Sequence, residues 1–77
     1  MKMIDGWCTV ENDFEYENYK YLKDDLLIFR NFSFGLYEIV DIKNRIIHKC
    51  YYDKAERYEL NCRQLTKDEL IIMDIIL

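Results

Sequence analysis

Four carboxylates, Glu11, Asp13, Glu15 and Glu17, recur at every second position of the stretch TVENDFEYENY, while Cys8, Val10, Phe14 and Tyr16 fall on the other parity. Successive side chains of a strand point to opposite faces, so this spacing predicts one apolar face and one face lined by acids. Residues two apart on a strand lie about 6.5 to 7 Å apart, which would make the acids a line about 20 Å long. Successive phosphates of a nucleic-acid strand have a comparable separation. A groove that grips phosphates with Lys and Arg would accept such a row, and charge steering would speed the encounter. Trp7, Tyr19 and Tyr21 are close in sequence and are candidate anchors, since aromatic residues often dominate interface energetics.

The other reactive residue types make weaker sets. His48 and Cys50 are two apart and would share a strand face, where Cys8 and Cys62 could complete a Cys3His zinc site. The paired short spacings that let a loop wrap a tetrahedral ion are missing, so no metal ligands are assigned. A Cys–His nucleophile oriented by Glu38 would also need an oxyanion site, and no glycine-rich or helix-start signature supplies one. Acid–base work by two carboxyls needs them opposed across a cleft, whereas acids on one strand face point the same way. The reading is therefore a protein that is not an enzyme and carries no cofactor.

Composition narrows the partners. Net charge is −4, and residues 1–29 carry seven acids against three bases while the remaining residues balance at eight of each. The excess sits where the acidic row sits. No cluster of Lys and Arg offers a phosphate-binding patch, so direct nucleic-acid binding is not expected. Met1 to Val10 lacks the apolar run of a signal peptide, and Leu70 to Leu77 is too short to span a bilayer and contains Asp74; a cytoplasmic protein without membrane contact is expected. In that compartment Cys8, Cys50 and Cys62 are expected to be free thiols.

The elements that must position these residues read as one domain, 1–77. A strand is preferred from about Trp7 to Tyr19, with a bulge or bend near Asn12 or Asn18; a helix capped by Asn12 or Asp13 competes. Lys23 to Asp25 is a turn, Leu26 to Phe32 a central strand apolar on both parities, and Ser33 to Gly35 a reversal. Leu36 to Tyr52 is a hairpin with two possible registers, one pairing Glu38 with His48 and the other pairing Glu38 with Lys49 and Ile39 with His48. After a polar turn at Asp53 to Glu56, the alternation of Tyr58, Leu60 and Cys62 predicts a strand. Thr66 and Glu69 form a capping box, which predicts a helix. The segment that follows, LIIMDIIL, is apolar nearly all round, so either the sheet envelops it or Ile72, Ile76 and Leu77 pack against a second copy.

These elements give an α+β fold: a small twisted antiparallel sheet of about five strands, mostly meander, with one C-terminal helix. The expected function is binding and inhibition of a basic, nucleic-acid-handling host or defence protein through an acidic, aromatic surface. Phage-encoded inhibitors share this size, acidity and lack of catalytic motifs, a likeness of general type that rests on no matched motif. The alternatives are a homodimeric structural or adaptor module joined through the C-terminal segment and, more weakly, a small zinc-binding domain.

Overall fold

The strands of this chain bury one face and leave the other largely open. The computed structural model describes residues 5–33 and 35–74. In chain order the elements are β1 (Gly6–Val10), β2 (Phe14–Tyr16), β3 (Tyr19–Tyr21), β4 (Leu26–Ser33), β5 (Leu36–Asp41), β6 (Ile46–Tyr51), α1 (Tyr52–Glu59), β7 (Cys62–Gln64) and α2 (Lys67–Ile72). Five strands pair in the order β6-β5-β4-β1-β7, antiparallel throughout, and β2 and β3 form a separate hairpin. The fold is α+β as expected. β4, β5 and β6 are the meander, and β1 and β7 extend it on the other side.

Alternation and register place Cys8, Val10, Leu27, Phe29, Tyr37, Ile39 and Cys62 on one face of the sheet, and all are buried. Tyr21 from the hairpin and Ala55 and Tyr58 from α1 close over them. Burying each large apolar side chain contributes about 1.5–3 kcal/mol, so this single layer of contacts is the main source of stability.

Two expectations change, and one left open is settled. The long first strand is broken: β1 stops at Val10, the chain bends through Glu11 to Asp13, and a second, short strand starts at Phe14. The break is held by backbone bonds, with the Glu11 amide donating to the Asn61 carbonyl at 2.7 Å and the Asp24 amide to the Val10 carbonyl at 2.8 Å. β2 then turns into β3 through Glu17 and Asn18, whose φ angles of 55° and 71° match the two-residue turn that suits the twist of a hairpin. Asn12 and Asn18 thus mark reversals, and neither one long strand nor a helix forms.

The predicted strand through Tyr58, Leu60 and Cys62 is instead the end of α1 followed by a turn and β7. Tyr52, Ala55 and Tyr58 recur at helical spacing and face the core, and this burial outweighs the local alternation. Leu60, which alternation would place inside, is 74% exposed. The described residues therefore form two helices where one was expected. In the β5–β6 hairpin the second register is adopted, with Glu38 opposite Lys49 and Ile39 opposite His48. Buried Asp41 decides it by accepting from the Asn44 amide at 3.0 Å and from Asn44 Nδ2 at 2.8 Å, which leaves Arg45 to take the left-handed conformation.

The capping box forms as read. Glu69 donates its amide to Thr66 Oγ1 at 3.1 Å, and its carboxylate accepts from the Thr66 amide at 3.0 Å. Arg63 adds a two-pronged bond to the same carboxylate at 2.7 and 2.8 Å. These donors, the Arg63 guanidinium first, lower the Glu69 carboxyl from 4.5 to about 2. A lowered folded-state value means stabilisation that is present above pH 4.5 and lost as pH falls towards 2. Relative to Glu69→Gln, the wild type is expected to be more stable at neutral pH and to lose that advantage across this acid window; melting temperature against pH is the measurement.

Candidate functional site: an acidic aromatic groove

The β2 strand and α1 run beside each other and leave an open cleft of about 410 Å³ between them. Phe14 and Tyr16 are on its β2 side. Both rings are fixed by edge contacts to Tyr58, at 5.7 and 5.3 Å between centroids. Glu15 from β2 and Asp53 and Glu56 from α1 line the same cleft, and exposed Leu60 stands at its end. The single guanidinium there, Arg57, lies 5.7 Å from the Tyr16 ring centroid, where it is drawn to the ring face. Three carboxylates around aromatic and aliphatic surface suit a cationic side chain with an apolar stem, the character of Arg and Lys.

The residues singled out from the sequence are dispersed. Glu11 sits in the bend and lines a different cleft, with Lys23 and Arg63. Asp13 is exposed but engaged within the chain, accepting from the Lys23 amide at 2.7 Å. Glu17 is at the hairpin tip beside a cleft lined by Lys49 and Lys54. Only Glu15 of the four borders the acidic groove, so the straight phosphate-like row does not form. Tyr21 is fully buried and offers no surface to a partner. Its hydroxyl is 3.2 Å from His48 Nε2, and burial pushes its ionisation well above the usual range. Tyr19 packs edge-on against His48, and Trp7 lies on the opposite face of the sheet. Asp53 and Glu56 were missed because their segment read as a turn. The signal that would have found them is the helical spacing of Tyr52, Ala55 and Tyr58.

The zinc arrangement does not assemble. Cys8 and Cys62 are neighbours on β1 and β7, whereas His48 and Cys50 are on β6 beyond β4 and β5. Among the described residues no three His, Cys, Asp or Glu side chains come close enough to hold a metal ion. Cys8 and Cys62 are buried free thiols, and hydrogen bonding to Cys62 and then burial raise the Cys8 thiol. Cys50 is half-buried and borders the Lys54 cleft. A disulfide reagent applied to the folded protein is therefore expected to modify Cys50 alone, and to reach all three thiols only after unfolding.

Among the described residues no helix is long and apolar enough to cross a membrane. Searches of protein families, characterised proteins and solved structures returned no match to this chain.

Proposed function

We propose that this protein binds a basic, nucleic-acid-handling protein and inhibits it by occupying the surface that its nucleic acid would take. The observation that carries this reading is the groove, where Glu15, Asp53 and Glu56 meet around Phe14, Tyr16 and Leu60. Carboxylates there attract Lys and Arg that normally hold phosphates, and the rings and Leu60 add the apolar contacts that fix a complex once formed. The charge distribution supports the same partner, because the net charge of −4 disfavours binding nucleic acid and favours a cationic protein.

Capture from a native lysate tests the reading. Immobilised protein should retain a basic nucleic-acid-binding protein at low salt and release it as salt rises, because screening weakens contacts between exposed charges. Capture of acidic partners only, or retention indifferent to salt, would sink the proposal.

A further inference from the structure

The open face of the sheet carries an apolar row between charged residues, where water would favour polar ones. Register aligns Trp7, Ile28, Val40 and Ile47 in one row across β1, β4, β5 and β6. None of the four is buried, and Ile47 is 57% exposed. Leu36 and Tyr51 form a parallel pair on the same face, with Tyr51 exposed. An antiparallel sheet can leave one face to water when that face is polar; the apolar row on this one would gain by being covered.

The same chain carries an uncovered partner for it. No residue of α2 is buried, Ile71 and Met73 are exposed, and Ile72 is 81% exposed. A helix of six residues gains little stability by itself and needs an apolar surface to lie on. Charge complements shape. On the open face Arg30 and Lys49 flank Glu38, two cations about one carboxylate, and only Arg30 bonds to it, at 3.4 Å. α2 and the turn after it expose Asp68 and Asp74. Arg63 projects from β7 on the open-face side and holds Glu69, so α2 begins at the rim of that face.

We propose that the occupant is a second copy of this chain, with α2 of each protomer lying on the open sheet face of the other about a two-fold axis. Both complementary surfaces are on every copy, so reciprocal docking closes the assembly at two and leaves no surface to propagate. Five strands at about 4.8 Å spacing and about five residues in length give a face roughly 20 Å square, a scale that with the helix added approaches the interface of a stable pair. The acidic groove is on the opposite side of the sheet, so this association does not depend on the proposed inhibition and leaves the groove free.

Light scattering and the emission of Trp7, the only tryptophan, provide the test. The wild type is expected at twice the 9.5 kDa chain mass at about 50 µM. Ile47→Lys and Ile72→Asp, both at exposed positions, should each give a monomer with unchanged circular dichroism and red-shifted Trp7 emission. A wild type that remains monomeric at about 100 µM overturns the proposal and leaves the face to a different partner. So does a dimer that survives both substitutions.

Discussion

Tyr58→Ala is expected to unfold most of the protein near physiological temperature. Tyr58 is 1% exposed and lies where three elements meet, with ring contacts to Phe14, Tyr16 and Tyr21 of the hairpin and to His48 of β6. Truncating a buried aromatic side chain costs about 3–5 kcal/mol through lost burial and the cavity left behind. A domain of this length has about 4–12 kcal/mol in total, so the loss is a large share of it. Each kcal/mol lowers the melting temperature of such a domain by about 4–8 °C, which places the expected drop above about 12 °C. Tyr58→Phe keeps the ring contacts and should fold. Urea titration of the three proteins checks this, and a loss under about 1 kcal/mol for the alanine variant would show that α1 and the hairpin are held by other contacts.

The second large effect is on capture. Neutralising the groove with Glu15→Gln, Asp53→Asn and Glu56→Gln together should weaken partner binding about 100-fold, since each close charge pair across an interface is worth on the order of 1 kcal/mol or more. Stability should change little, because all three residues are exposed. The control is Glu11→Gln, Glu17→Gln and Asp68→Asn together, which removes the same three charges from outside the groove and should cost less than tenfold. Asp13 is left alone in both sets because its carboxylate holds the Lys23 amide. Equal losses in the two variants would mean that general acidity, and not the groove, attracts the partner.

Local signals in this sequence were sound where the structure is local. The Thr66–Glu69 box needs only neighbouring residues, and it forms as read. The acidic stretch was legible as composition but not as geometry: its alternation held for Phe14 to Tyr16 and failed where backbone bonds to the Asn61 and Asp25 carbonyls bent the chain. Such bonds join residues far apart in sequence, so no window of Glu11 to Glu17 contains them. α1 was missed because Tyr58, Leu60 and Cys62 imitate a strand, while the competing face of Tyr52, Ala55 and Tyr58 gains its burial only from the sheet and the hairpin that pack against it, both distant in sequence. The row of Trp7, Ile28, Val40 and Ile47 depends on three registers at once. Ile72 kept its place on an exposed apolar helix, whereas Ile76 and Leu77 lie outside the described residues.

The central claim is that the groove takes the place of a nucleic acid on a basic partner, and competition measures it directly. A captured partner is loaded with a fluorescent oligonucleotide, and this protein is titrated in while anisotropy is followed. Stoichiometric release by the wild type, with release by the groove-neutralised variant needing about 100-fold more protein, is the expected result. A ternary complex in which the oligonucleotide stays bound at saturation would contradict it.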